Sequence, residues 1–274
     1  MNLASTYLRL LKQTIAFTLW PDPLVPVYQK DYAKEGLLKR FAVVGITLIS
    51  RLAGFQVARW PSYNMHDLEE GRVWRTYPDT MIGLRRLENI QSCVETALSE
   101  NVPGDLIETG AWRGGACIFM RGILAAHGVT DRKVYVADSF EGLPRPDEQR
   151  HPADKGDQHH TMEFLAVDLE SVRNNFRRYG LLDEQVVFLK GWFKDALPTA
   201  PIKELAILRL DGDMYGSTMD ALNALYHKLS PGGFCIVDDY DLEGCRRAVD
   251  DFRREHQIEA PLLTIDWTGR FWKK

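Results

Sequence analysis

DLIETGAWRGG, residues 105–115, decides the fold. Asp105 to Thr109 reads as a short buried strand that runs into Gly110, and Gly115 to Ala126 reads as a helix that stops near Gly128. A strand, a glycine turn and a helix in that order form one half of a parallel α/β unit. The pattern continues downstream. Val134 to Asp138 (VYVAD) is a second predicted strand, followed by a long polar loop, a helix over Val167–Tyr179 and a third strand at Val186–Leu189. Leu205–Leu210 (LAILRL) and Gly233–Val237 (GFCIV) supply a fourth and a fifth. Ser217 and Asp220 read as a capping box, opening a helix whose Met219, Leu222, Leu225 and Leu229 face one way. A helix from Glu243 to about His256 leads to a closing pair of strands, Leu262–Ile265 and Arg270–Trp272. Upstream, Leu84, Leu87, Ile90, Val94 and Leu98 mark one face of an amphipathic helix that Pro103-Gly104 ends. Alternation of this kind predicts a mostly parallel sheet covered on both faces.

Pro21, Pro23, Pro26, Pro61 and Pro78 interrupt short apolar segments in the first 80 residues, which predicts a helical extension over 1–79 ahead of a main domain over 80–274. The apolar run FAVVGITLIS, residues 41–50, lies between Lys39-Arg40 and Arg51 and is shorter than the ~20 residues a hydrocarbon core demands. It is expected as a buried or interfacial helix. Residues 1–20 carry Arg9 and Lys12 in an apolar pattern with no small-residue cleavage site, so an amphipathic helix against a partner subunit or a membrane surface is open there.

Across 274 residues, 34 Lys and Arg against 38 Asp and Glu give a net charge of −4, which argues against a nucleic acid partner. Cys93, Cys117, Cys235 and Cys245 are too scattered for a disulfide framework or a zinc site and read as reduced thiols of a cytoplasmic protein.

In open α/β sheets ligands gather at the C-terminal ends of the strands, and the polar residues of this chain sit there. Gly110 and Gly114 let the backbone turn and approach a ligand, but three residues separate them, which is not the GxGxxG spacing that seats a pyrophosphate. A ligand without phosphates fits better. Asp138 ends the second strand, where a carboxylate accepts from the ribose hydroxyls of a nucleoside or, alternatively, caps its own turn. Trp192 follows the third strand and either borders an adenine or packs in the core. Asp211 and Asp213 in LRLDGDMY, with Asp238 and Asp239 in CIVDDY, gather three or four carboxylates. Their repulsion is relieved by a bound cation, and all-oxygen donors select Mg²⁺; the alternative is that they cap helix N-termini. HPADKGDQHHT, residues 151–161, reads as a loop hanging over the site, either a lid with a substrate-facing His (His151, His159 or His160) or a plain solvated loop.

Taken with TMIGLRRLENIQ, PGDLIETGAWRGGACI, VADSFEGLP, GWFKDALPTAPI, LRLDGDMYGSTMDAL, LSPGGFCIVDDY, AVDDF and IDWTG, these residues make the chain resemble the macrocin O-methyltransferase family from about Thr80 onward. Members of that family use S-adenosylmethionine and Mg²⁺ to methylate sugar hydroxyls of macrolides and aminocoumarins. The resemblance implies a class I methyltransferase fold, Rossmann-like, with a seven-stranded sheet and a reversed last strand. It also implies the metal ligands Asp211, Asp238 and Asp239, and cofactor contacts at Glu108, Gly110, Asp138, Ser139 and Trp192, with Thr80 and Met81 covering the cofactor. Thr109, Gly114 and Asp211 belong to the same expected cofactor site. Asp213 is the expected general base, with His159 or His160 as its substitute. Gly216, where an acidic or polar residue is expected, and the segment Asp241–Gly244 depart from the family pattern on the acceptor side. The acceptor is expected to be a glycosylated small molecule and the protein a homo-oligomer without stable membrane insertion. A catechol acceptor and a non-catalytic nucleoside-binding protein are the rival readings.

Overall fold

A computed structural model describes residues 2–27, 36–60 and 63–274; Pro61 lies outside the described residues. The first part of the chain forms α1 (Leu3–Ile15), β1 (Val25–Pro26), α2 (Leu37–Leu52), β2 (Ala58–Arg59) and α3 (Met65–Glu70), with β1 and β2 paired as an antiparallel ribbon. Then follow α4 (Leu84–Ser99), β3 (Asp105–Thr109), α5 (Gly115–Ala126), β4 (Val134–Asp138), α6 (Leu169–Arg178), β5 (Val186–Lys190) and α7 (Phe193–Ala196). The chain ends with β6 (Leu205–Leu210), α8 (Tyr215–Leu225), β7 (Leu229–Val237), α9 (Glu243–Glu255), β8 (Leu263–Thr264) and β9 (Arg270–Lys273).

Seven strands form one sheet in the order β5-β4-β3-β6-β7-β9-β8. The strands β3 to β7 are parallel, whereas β9 runs antiparallel to both β7 and β8, as expected for a reversed last strand. The chain steps outward from β3 to β5 and returns to set β6 on the other side of β3. That reversal opens a crevice at the C-terminal ends of β3 and β6. Thr109 pairs with Leu210 and Leu210 with Val237, so the residues just beyond them emerge side by side.

Strand residues alternate between two apolar layers. Leu106, Val134 and Val136 pack against α1, α4, α5 and α6, while Ile107, Tyr135 and Leu208 pack against α8 and α9. Covered on both sides, the inner strands are mostly apolar, with Glu108 and Arg209 as buried charged exceptions, and their limits are readable from composition.

Three local expectations are corrected. Ser217 and Asp220 do not form a capping box: α8 begins at Tyr215, its N-cap is Met214, and no side chain of its own caps it. Leu229 is the first residue of β7 and does not continue the helix face. Of the two alternatives for the run 41–50, buried or interfacial helix, burial within this chain is overturned: the run lies in α2, where among the described side chains only Thr47 is buried and Leu38, Phe41 and Ile49 are exposed. No helix among the described residues is long and apolar enough to cross a membrane.

The helix α1 packs on α5 within the chain. Leu8, Leu11 and Ile15 enter the main core, and a Cβ added at Gly122 would lie 2.2 Å from Leu11 Cδ2, so the two helices approach at a glycine. Leu8→Ala is therefore expected to lower the unfolding free energy by about 2–5 kcal/mol. Chemical denaturation followed by tryptophan fluorescence and by circular dichroism should show one shared transition; an early separate transition would detach α1 from the core.

Candidate active site

The site is built on close backbone approach at the switch point. Gly110 has φ +91°, and a Cβ there would sit 1.7 Å from the Asp211 carbonyl oxygen, so β3 and β6 can end side by side only with glycine at this position. The loop after β3 is tied to β4 by Asp138. Its Oδ2 accepts from the backbone N–H of Ala111 at 2.7 Å and of Trp112 at 3.3 Å, and its Oδ1 accepts from Phe140 N–H at 2.7 Å. The turn-capping and cleft-facing roles weighed for Asp138 thus coexist, because Asp138 also lines the cleft. Burial raises its carboxyl pKa, and the three N–H donors oppose that shift.

A cleft of about 250 Å³ opens over these strand ends. Met81, Gly110, Trp112, Asp138, Ser139 and Trp192 line one part of it, and Asp211, Asp213, His151, Asp154, Gly216 and Asp220 line another. Trp192 is a wall of the cleft. Glu108, Thr109 and Gly114, expected as cofactor contacts, do not line it. Glu108 is 2% exposed and accepts from Arg209 and, at 2.9 Å, from Cys117 Sγ. Thr109 is fully buried, and Gly114 faces Val172 and Phe176 of α6. At this turn the lining falls to Gly110 and Trp112 because the strand side chains point into the two layers beneath. Thr80 packs by its Cβ over Gly115 at the start of α5, beside Met81.

Asp211, Asp213 and Asp239 converge, each offering an oxygen within 4.8 Å of the others. Asp213 sits at φ +56°, a left-handed conformation that Asp tolerates, and its N–H donates to Asp239 Oδ2 at 3.2 Å. Desolvation first, then the neighbouring Asp238 charge, raise the Asp211 carboxyl to about 6. Desolvation and the Asp211 charge raise Asp213 to about 7, and the same two kinds of cause push Asp239 well up. Such a group is short of positive charge.

Asp238 faces away from this group. Its Oδ2 accepts from Arg86 Nη1 at 2.5 Å and its Oδ1 accepts from Arg209. Arg209, 1% exposed on β6, also binds Glu108 and, at 2.9 Å, Asp211 Oδ2; Arg86 Nε lies 2.9 Å from Asp266 Oδ2. The sequence reading missed both arginines. A lone charge inside the otherwise apolar LAILRL was the available signal for Arg209.

The loop between β4 and α6 arches over the cleft. His151 lines it; His159 and His160 do not. His159 Nδ1 instead meets Asp157 Oδ2 at 2.6 Å, close enough to Asp213 for the charges of both to act on that carboxyl.

Comparison with known proteins follows the same lines. Residues 4–274 match the model of the macrocin-O-methyltransferase (TylF) family. An 8-demethyl-8-(2,3-dimethoxy-alpha-L-rhamnosyl)-tetracenomycin-C 4'-O-methyltransferase of Streptomyces olivaceus is 57% identical over 204 residues, 74% of this chain and 78% of that protein. A mycinamicin III 3''-O-methyltransferase of Micromonospora griseorubida is 53% identical over 209 residues, 75% of this chain and 82% of that one. The structure of the O-methyltransferase NovP is similar with a TM-score of 0.83 at 46% identity, and the match covers 99% of each chain.

The arginine pair yields a stability test. Arg209→Ala leaves Glu108 and Asp211 without a bound cation and Asp238 with Arg86 alone, and should cost about 3–5 kcal/mol in urea denaturation. Arg254→Ala, which breaks an exposed pair with Asp251, should change stability by less than about 1 kcal/mol. Equal effects of the two variants would remove Arg209 from its structural role.

Proposed function

This chain belongs to the macrocin-O-methyltransferase family, and from that premise we propose that it moves the methyl group of S-adenosylmethionine to a sugar hydroxyl of a glycosylated natural product, with Mg²⁺ in its acidic cluster. The observation that carries this reading is the junction of the cleft over β3 and β4 with the Asp211, Asp213 and Asp239 carboxylates.

The cofactor half of the cleft suits a nucleoside. A carboxylate has about four acceptor positions; three at Asp138 are taken by backbone donors, and the Ser139 hydroxyl, 3.5 Å from Oδ1, donates at the shorter distance of 2.7 Å to Gly142 O. The remainder supports one ribose hydroxyl, with Trp192 bordering the adenine and Met81 closing over the cofactor. Glu108, Thr109 and Gly114 support that floor from beneath.

Mutual repulsion and desolvation in the acidic cluster fit a hard cation held by Asp211, Asp213 and Asp239. Asp238, committed to Arg86 and Arg209, holds the strand ends in place beside them. When bound, Mg²⁺ supplies Lewis acidity that lowers the pKa of a chelated sugar hydroxyl. Asp213 has one oxygen in the cluster and a second left to take the hydroxyl proton, with the Asp157–His159 pair close behind it. Trp192, Met81 and the loop above the cleft orient the sulfonium toward the attacking oxygen and exclude water, as an in-line displacement requires. The sugar acceptor is supported by the acceptors in the names of the two relatives, and the four buried free thiols support a cytoplasmic setting. The exposed apolar residues of α2 support self-association into a homo-oligomer.

Mass spectrometry of assays with a panel of rhamnosides and a catechol tests the acceptor class: methylation of a rhamnoside is expected, and methylation of the catechol alone would overturn it. Chelation should abolish turnover, and Mg²⁺ should restore it better than Zn²⁺; full activity in excess chelator would remove the metal.

Two variants divide the site. Asp138→Ala should weaken S-adenosylmethionine binding by about tenfold or more, since a hydrogen bond to a charged group contributes about 1.5–3 kcal/mol, and leave Mg²⁺ binding unchanged by calorimetry. Asp213→Asn should lower turnover by about 10²–10⁴-fold, the usual contribution of a general base. Wild-type turnover in Asp213→Asn with loss in His159→Gln would move the base to the loop.

A further inference from the structure

We propose that Asp154 is a positioning residue for methyl transfer: from the loop above the cleft it caps helix α8, and that bond builds the acceptor-side wall, with His151 as the side chain the wall presents to the acceptor. The proposal rests on the cleft being the cofactor and acceptor site.

The helix α8 starts without a cap from its own sequence, so its first N–H groups need partners from elsewhere. They find them in Asp154. Tyr215 N–H donates to Asp154 Oδ1 at 2.6 Å and Gly216 N–H donates to Oδ2 at 3.0 Å, across 61 and 62 residues of chain. Asp154 is only 4% exposed. A carboxylate so enclosed is stable only where its charge is answered, and two backbone donors at the positive end of a helix answer it.

The contact is close enough to dictate residue type at two places. A Cβ at Gly216 would lie 2.9 Å from His151 Cδ2, and one at Gly244 would lie 2.7 Å from Asp154 Oδ1 and 3.0 Å from Tyr215 N. Gly216 and the segment ending at Gly244 are where the sequence departs from the family pattern. Both glycines form the seat on which the loop rests.

Through this seat Asp154 sets the position of its neighbours. His151 stands against the Tyr215 ring at 5.5 Å between centroids, and Tyr215 Oη donates to Asp251 Oδ2 of α9 at 3.2 Å. On the far side, Asp157 N–H donates to Asp154 O at 3.1 Å, and Asp157 holds His159. Release of Asp154 therefore frees the acceptor wall and the His159 side of the site together, while Asp138, Met81 and Trp192 stay in place.

Four variants of the full chain test this, with tryptic cleavage followed in the presence of S-adenosylhomocysteine and Mg²⁺. Asp154→Ala should speed tryptic cleavage after Arg150 and Lys155 by about tenfold or more, the loss expected for hydrogen bonds to a charged group. The KM for a rhamnoside acceptor should rise by a similar factor, while S-adenosylmethionine affinity stays within about threefold. Asp154→Asn, which keeps one acceptor oxygen, should fall between Asp154→Ala and the wild type on both scales. Gly216→Ala should loosen the loop with Asp154 intact, and so tests the seat even if Asp154→Ala fails to fold. His151→Ala should raise the rhamnoside KM with loop cleavage unchanged. Cleavage of Asp154→Ala and Gly216→Ala at the wild-type rate, or cofactor affinity falling in step with acceptor KM, would overturn the proposal. If the wild type methylates no rhamnoside, the acceptor reading fails, and the cleavage rates still decide the role of Asp154.

Discussion

One buried guanidinium holds the working end of this sheet together. Arg209 lies in the central strand β6, 1% exposed, and reaches Glu108 at the end of β3, Asp211 at the end of its own strand and Asp238 at the end of β7. Removing such a charge from water is expensive, and several charge-assisted bonds of good geometry must offset it. The consequence is positional: three adjacent strand ends are fixed relative to one another beneath the cleft. Arg86 of α4 extends the network by sharing Asp238 and meeting Asp266, just ahead of β9. Helix, sheet and C-terminal hairpin therefore meet at the same charges.

That network divides the acidic residues by role. Asp238 is neutralised from two sides, whereas Asp211 is engaged at one oxygen, and Asp213 and Asp239 lie beyond the reach of either arginine in the ion pairs formed. The strand ends thus carry an inner layer of charge compensated by arginine and an outer layer, Asp213 and Asp239, without an arginine partner, of which Asp213 lines the cleft. The loop over the cleft adds a second constraint at α8, where a carboxylate from far upstream satisfies the first turn of the helix. Trp112 Nε1 donates to Phe164 O at 2.9 Å near the C-terminal end of the loop, so the arch is tied at its middle and again close to α6.

Local chemistry was legible wherever its cause was local. The strands over 105–109, 134–138 and 205–210 and the helix over 115–126 appear with the limits read from the sequence, since a strand buried on both faces is an apolar run closed by glycine or a carboxylate. Gly110 was singled out as a turn residue, and its φ of +91° shows why no side chain fits there. Asp211, Asp213, Asp238 and Asp239 were recognisable as a group because acids close an otherwise apolar strand there, although the sequence did not separate the one paired with buried arginines, Asp238, from the rest.

What the sequence by itself determined, then, was the order of strands and helices and the carboxylates at the strand ends, set by apolar runs and periodicity within a few residues. The reversed last strand came only as an implication of the family resemblance. Only the tertiary structure decided which acid faces the cleft and which faces an arginine, because Arg209 finds Glu108 and Asp238 across 101 and 29 residues. It also decided the cap of α8: Ser217 and Asp220 satisfy the local capping pattern, yet the donors at Tyr215 and Gly216 were met first by Asp154. An unpaired N–H or a buried charge takes whichever partner the fold brings near, and that proximity depends on how the layers pack.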